Sequence, residues 1–171
     1  VKFCGAVCAV LAAQAAAWAA DPGLLRLVMP DAKVIAGIQV DQTRNSPFGQ
    51  YVLTHMQPTD EGFKKFMSDT GFDPRRDVSE IVMASNWEQS SPDARWLVLA
   101  RGLFSPARFA AAVAANGGSV TKFQGVDILN GDSSTTNGIA FFDSTNAVMG
   151  DTASVKAAIE RRQTNAPASS S

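Results

Sequence analysis

Ser133 has the best sequence context for nucleophilic catalysis, because it ends the block Gly131-Asp132-Ser133 directly after an apolar run. A serine needs a base within hydrogen-bond reach before its hydroxyl can attack a carbonyl group. The chain contains 1 histidine, His55, which precedes Ser133 and lies on the apolar stripe of a predicted helix. A histidine there is typical of a half-buried packing residue. We therefore expect Ser133 to lie in a solvated loop rich in turn-forming residues.

The block Gly131-Asp132-Ser133 is similar to the serine block of the GDSL-type esterases. Those enzymes place the serine after the first strand of a parallel α/β sheet and supply the histidine near the C-terminus, whereas hairpins surround Ser133. Asn130, Asp132 and Ser134 have the spacing of a calcium loop's start, but Phe141 stands where the twelfth-position glutamate belongs. We predict no catalytic residue, no metal site and no cofactor, and so no enzyme.

The densest charge cluster of the chain runs from Asp73 to Asp77 and contains Arg75 and Arg76. It could contact an anion or a partner, and its charges could equally compensate one another in a solvated turn. Trp87 opens the polar loop after the strand predicted at Glu80–Asn86. A tryptophan there suits an interface or covers the end of a hairpin. Asp73, Arg75, Arg76 and Trp87 are therefore our candidate interaction surface.

The charge balance argues against a nucleic-acid partner. The chain carries 15 Lys+Arg against 16 Asp+Glu, with a formal net charge of -1 at pH 7. No basic stripe with interleaved aromatic residues is present, which nucleic-acid binding would require. A hydrophobic content of 46% argues against disorder, and 171 residues suffice for one domain with its own core.

The first 19 residues have the pattern of a secretory signal peptide. Lys2 supplies the early positive charge, Phe3–Ala17 is almost entirely apolar, and Ala17-Trp18-Ala19 offers small residues at a peptidase site. We expect export to the periplasm or beyond the cell, with membrane contact only if this segment is not cleaved. Cleavage after Ala19 would also remove both cysteines, Cys4 and Cys8, so the exported chain would contain no disulfide.

Hydrophobic periodicity predicts the elements that would position these residues. Alternating apolar residues predict a strand over Ala32–Val40. The cap-then-proline signals Ser46-Pro47 and Ser105-Pro106 predict two helix starts, and a further helix runs from Asp60 to a stop at Gly71. The remaining predicted strands are Glu80–Asn86, Arg95–Leu103, Val120–Phe123, Val126–Leu129, Ile139–Asp143 and Ala147–Gly150.

Asp151 is predicted to cap a last helix whose inward residues are Val155, Ala158 and Ile159. The order of elements predicts an α+β fold, an antiparallel sheet with helices packed mainly on one face. Its core would be a ferredoxin-like β-α-β-β-α-β unit, followed by a hairpin and a helix. We expect a single domain over residues 20–163 and a disordered tail or linker over 164–171.

Several segments resemble a group of uncharacterised exported bacterial proteins. The resemblance rests on Leu27–Ala32, Thr70–Asp77, Gly138–Asp143, Val148–Asp151 and Ser154–Ile159, which are turns, caps and strand ends. It implies export and an α+β fold, and it supplies no catalytic residues. Members of this group are often longer, with a second similar half, so we expect that residues 20–163 could be the first half of a longer protein.

Three functions follow from the sequence. The first is a non-enzymatic domain associated with the bacterial envelope, which acts through protein–protein interaction with an envelope partner. The second is a periplasmic small-molecule or peptide-binding module, with a pocket lined by Phe48, Tyr51, Phe63 and Phe66. The third is a serine hydrolase that uses Ser133. Absence of a catalytic constellation favours the first.

Overall fold

The computed structural model describes residues 20–44, 46–47, 50, 61–86, 93–131 and 136–164. The strands are β1 Val34–Gln39, β2 Val78–Ser85, β3 Trp96–Gly102, β4 Ser119–Phe123, β5 Val126–Asn130, β6 Asn137–Phe141 and β7 Asn146–Asp151. The helices are α1 Pro22–Leu25, α2 Val40–Arg44, α3 Glu61–Thr70, α4 Pro74–Asp77, α5 Pro106–Ala115 and α6 Thr152–Thr164. None of these helices has the length and apolarity to cross a membrane.

The seven strands form one sheet in the order β1-β2-β3-β7-β6-β5-β4, and all neighbours are antiparallel. The predicted α+β class and antiparallel sheet are confirmed. The ferredoxin-like order is not confirmed, because β1 lies at an edge of the sheet and is not flanked by two strands. Two meanders, β1 to β3 and β4 to β7, instead meet at the pair of β3 with β7.

Most of the predicted elements are present with small shifts of their ends. The turn between β4 and β5 is Gln124-Gly125, whose φ angles of 47° and 82° are those of a type I′ hairpin. Gly71 ends α3 with a φ of 70°, a backbone region that favours glycine. Asp73 caps the single helical turn α4, which begins at Pro74. The helix predicted after Ser46-Pro47 lies mainly outside the described residues.

One face of the sheet, the core face, is covered by α6 and by the segment that contains α1. On this face Val82 of β2, Leu99 of β3 and Val148 of β7 lie next to one another in register. Each is at most 1% exposed. The predicted inward residues of α6, Val155, Ala158 and Ile159, pack on them and are confirmed as buried. Leu24 of α1 fills the same core.

Asp21 joins the start of α1 to the sheet. Its carboxylate accepts hydrogen bonds from the backbone N–H of Gly23 at 2.7 Å and of Leu24 at 3.3 Å, which caps the helix. Arg101 donates to the same carboxylate at 2.8 Å. The backbone N–H of Asp21 donates to the buried carboxylate of Glu80 at 2.7 Å. These bonds hold residues 20–29 over the core.

The opposite face, the second face, carries α5 and α3 over its β4–β6 half. Phe109 of α5 packs on Phe141 with ring centroids 4.7 Å apart, and Phe66 of α3 packs on Phe109 at 5.3 Å. Phe141 alternates with Ala140 of the core face, so α5 and α6 lie on opposite sides of the sheet. The prediction of helices mainly on one face is therefore wrong, because the strands are apolar on both sides.

Asp143 organises the turn between β6 and β7. Its carboxylate accepts hydrogen bonds from the backbone N–H groups of Thr145 and Asn146, both at 2.8 Å, and from Arg162 of α6 at 2.8 Å. Partial burial raises the pKa of Asp143, but the hydrogen bonds from Thr145, Arg162 and Asn146 outweigh burial and hold the pKa well below its ordinary value. The turn is thus tied to the last helix through a charged carboxylate.

We expect Asp143→Asn to weaken the fold at neutral pH by about 1–2 kcal/mol and to flatten its acid dependence. A carboxyl group whose pKa is lower in the folded state stabilises the fold above its unfolded pKa of about 4, and this stabilisation is lost as pH falls below that value. Urea unfolding from pH 7 to pH 3 measures both effects. Asp127→Asn, in an exposed pair with Lys122, is the control. If the free energy of unfolding of Asp143→Asn and of wild type fell equally with pH, the stabilising role of the charged Asp143 carboxylate would be contradicted.

Candidate functional site

In the part of the chain that the structure describes, a groove of about 570 Å³ runs across the second face over β1, β2 and β3. Alternating residues of the three strands form its floor, which consists of Val34 and Ala36 of β1, Met83 of β2, and Trp96 and Val98 of β3. Val34 and Met83 are each 40% exposed. We call this feature the sheet groove. An apolar floor with so much accessible surface is typical of a binding site.

Polar residues close one end of the sheet groove, where Arg95, Thr136, Asn137 and Asp151 line it. The carboxylate of Asp151 accepts hydrogen bonds from the backbone N–H of Trp96 at 3.0 Å and of Ser154 at 2.9 Å. Arg95 forms an ion pair with Asp31 on the rim. The groove therefore offers an apolar surface whose bordering charges are partnered, and it suits an uncharged apolar occupant.

Among the described elements, α5 covers the β4–β6 half of the second face. Met83, Val98, Met149, Ile139 and Leu129 form one row of registered residues across the sheet. Leu129 lies at the α5 end of the row and is 4% exposed, whereas Met149 and Met83 are 39% and 40% exposed. The same apolar pattern is thus core at one end and accessible surface at the other.

Three of the four residues of the predicted interaction surface come together in α4 and its cap. Arg75 donates to the carboxylate of Asp73 at 2.8 Å, and Arg76 donates to Asp77 at 2.7 Å. These hydrogen bonds lower the pKa of both carboxyl groups and raise the pKa of both arginines. The cluster is internally neutral, which makes it a weak attractor for a charged partner. The fourth residue, Trp87, lies outside the described residues.

A small cavity between α3 and α5 includes Phe66, the one residue of the predicted aromatic pocket whose side chain the structure describes. It has a volume of about 230 Å³ and is lined by Phe66, Lys65, Ala112, Val113 and Asn116 among others. Sites for drug-sized ligands occupy about 300–1,000 Å³. Phe48, Tyr51 and the side chain of Phe63 lie outside the described part of the chain. Phe66 itself belongs to the aromatic core around Phe109, as packing residues do.

The residues considered for catalysis, Ser133 and His55, lie outside the described residues, as do Asp132 and Ser134 of the calcium-like spacing. Among the residues that the structure describes, no group of three His, Cys, Asp or Glu side chains could hold a metal ion.

Sequence reasoning missed the sheet groove. Trp96, which the sequence analysis did not single out, is half-buried and lines the groove. A signal for the groove is present in β2 and β3, where apolar residues occupy both alternating sets: Val82 and Leu99 on the core face, Met83 and Val98 on the second face. Such strands are covered on both faces in most folds, so one uncovered face indicates an interaction surface.

No family model and no curated protein matches the chain. Its structure is similar to that of TP0453, solved in crystal form I, with a TM-score of 0.50 and 13% sequence identity. The match covers 86% of this chain and 52% of the TP0453 chain, so this chain spans about half the length of that protein. At this identity the likeness shows the fold alone.

Proposed function

We propose that this chain is an exported, non-enzymatic binding domain of the bacterial envelope that holds an extended apolar segment of a partner protein in the sheet groove. The observation that carries the proposal is the open floor of Val34, Ala36, Met83, Trp96 and Val98. Apolar surface left in water is costly, and covering it provides the main favourable term for association. Interfaces commonly centre on aromatic and methionine side chains of this kind.

Export is supported by the signal-like pattern of residues 1–19 and by the contacts that follow it. Ala20 packs against the core, and Asp21 caps α1 and bonds to Arg101 and Glu80. Cleavage after Ala19 would leave every one of these contacts intact. N-terminal sequencing of the protein recovered from the periplasm or the medium should therefore begin at Ala20, and a start inside α1 would contradict this part of the proposal.

A photo-crosslinking amino acid tests the site of binding in cells. Placed at Met83, on the floor of the sheet groove, it should trap a discrete partner. Placed at Leu103, which is 71% exposed and outside the groove, it should not. Leu103 is the matched control because it is also apolar and accessible. Equal adducts at both positions, or none at either, would overturn the proposed site.

A small apolar molecule is the second candidate occupant, because a volume of about 570 Å³ lies within the range of ligand sites. Native mass spectrometry of the purified protein separates the two. A small ligand would appear as a fixed added mass that Met83→Lys removes, since a lysine ammonium on the groove floor repels apolar occupants. A protein partner would give no such mass, and its adduct would appear only in the crosslinking experiment.

A further inference from the structure

The edge strand β1 is exposed to a degree unusual for a strand of an apolar sheet. Among the described strands it pairs with β2 alone and begins the strand order of the sheet. Val34 is 40% exposed, Ile35 53% and Ile38 42%, and they point to both faces. Unpaired backbone groups along an apolar edge are a template for another strand, and proteins that remain monomeric guard such edges.

The opposite edge strand, β4, shows what such a guard looks like in this chain. Lys122 lies within β4 and forms an ion pair with Asp127 of β5 at 2.9 Å. A charged residue in an edge strand opposes pairing with another sheet. In β1, no charged residue and no proline stands between Val34 and Gln39. The two edges therefore differ in the feature that controls strand addition.

We propose that β1 pairs with β1 of a second copy of this chain, antiparallel and across a two-fold axis at Ala36. In this register Val34 faces Ile38 of the other copy, Ile35 faces Gly37, and Ala36 faces itself. The side chains of two opposed residues point to the same face of the sheet, because the two residue numbers in each pair differ by an even number. The second faces of both copies then lie on the same side, and one sheet continues through both subunits.

The composition of β1 favours a second copy over an unrelated strand. In a two-fold antiparallel pair each residue lies opposite a residue of the same segment in the reverse direction. The segment Val-Ile-Ala-Gly-Ile can pair in this way without placing any charges opposite each other. Ile35 lies opposite Gly37, which has no side chain, and β-branched Val34 lies opposite β-branched Ile38. The Val34–Ile38 pair brings two side chains into contact, the Ile35–Gly37 pair avoids crowding, and no pair places like charges opposite each other, which would destabilise the sheet.

The position of the sheet groove gives a second, independent argument. Val34 and Ala36 form both the edge of the sheet and one side of the groove. In the proposed pair, the same two residues of the second copy continue the apolar floor across the axis. The two grooves then join into one trough. The pairing itself does not depend on what the groove binds, so a monomer that still binds a partner would refute only this inference.

Ala36→Lys tests the pairing because it places two ammonium groups directly opposite each other at the axis. Ala36 is exposed in the single chain, so the substitution leaves the fold intact, which circular dichroism and urea unfolding verify. We expect wild type to sediment as a dimer and Ala36→Lys to raise the dissociation constant by roughly tenfold or more. Val120→Lys, on the other edge and 44% exposed, is the matched control and should remain dimeric.

Cysteine crosslinking tests the register. In a chain with Cys4→Ser and Cys8→Ser, Ala36→Cys should form an interchain disulfide rapidly on mild oxidation with copper phenanthroline, and Val120→Cys should not. A wild-type chain that is monomeric at every concentration would overturn the proposal, as would a dimer that survives Ala36→Lys or faster crosslinking at position 120. If β1 instead binds a strand of another protein, the purified wild-type chain would be monomeric at every concentration.

Discussion

Replacement of Gly102 by alanine is expected to lower the free energy of unfolding by about 3 kcal/mol. Gly102 lies at the end of β3, where the sheet meets the start of β2. A Cβ at this position would lie 2.2 Å from the carbonyl oxygen of Asp77 and 3.1 Å from the Cα of Val78. Both neighbours are backbone atoms, which cannot move aside by changing a rotamer.

The displaced carbonyl also has a structural role. Asp77 O accepts a hydrogen bond from the backbone N–H of Leu103 at 2.7 Å, and that bond would be lost. Gly117→Ala is the control, because its Cβ would meet nothing within 4 Å and only its φ of 80° opposes the substitution, at about 1 kcal/mol. Urea unfolding of both variants measures the difference. If both variants lost the same free energy of unfolding, the backbone around Gly102 would have to accommodate the added Cβ without cost, which would contradict the prediction.

The local structure of this chain could be predicted well because its signals are short-range. The Gln124-Gly125 hairpin, the stop at Gly71 and the buried stripe of α6 each follow from residues close together in sequence. Each of these elements depends on backbone preferences or on periodicity, which the surrounding fold does not override here. The positions of β1 to β7 follow for the same reason, to within a few residues.

The arrangement of the elements could not be predicted in the same way. β1 reads as an ordinary apolar strand, and nothing in Val34–Gln39 distinguishes an edge strand from a central one. The pairing of β3 with β7 joins residues that are about fifty positions apart, as Leu97 and Gly150 are. Such contacts depend on which surfaces remain uncovered after α5 and α6 have packed. Periodicity along the chain does not contain that information.

The candidate sites also differ in how far the sequence predicts them. Asp73, Arg75 and Arg76 were recognisable as a cluster, but only the structure reveals that each charge has a partner inside the cluster. The sheet groove and the β1 edge are the reverse case, since they consist of residues that look like core in the sequence. Their exposure follows from helices that cover other parts of the sheet. Both proposals therefore rest on apolar residues that no described element covers.

Replacement of Leu24 by alanine is expected to lower the free energy of unfolding by about 3 kcal/mol, although Leu24 belongs to a helix of only four residues. Leu24 is 2% exposed and packs in the same cluster as Val82, Leu99 and Val148. Truncation would leave a cavity in the core and weaken the attachment of residues 20–29. Such a loss is a large fraction of the stability of a typical domain, about 5–15 kcal/mol.

The adjacent residue provides a matched control. Leu25 lies in the same helix and is 38% exposed, so Leu25→Ala should cost less than about 1 kcal/mol. Both substitutions have the same effect on helix propensity, and the difference between them in urea unfolding therefore measures burial alone. Because residues 20–29 follow the expected cleavage point, a large effect of Leu24→Ala would also establish that the domain needs this segment to close its core. Equal and small effects would mean that the core is stable without them.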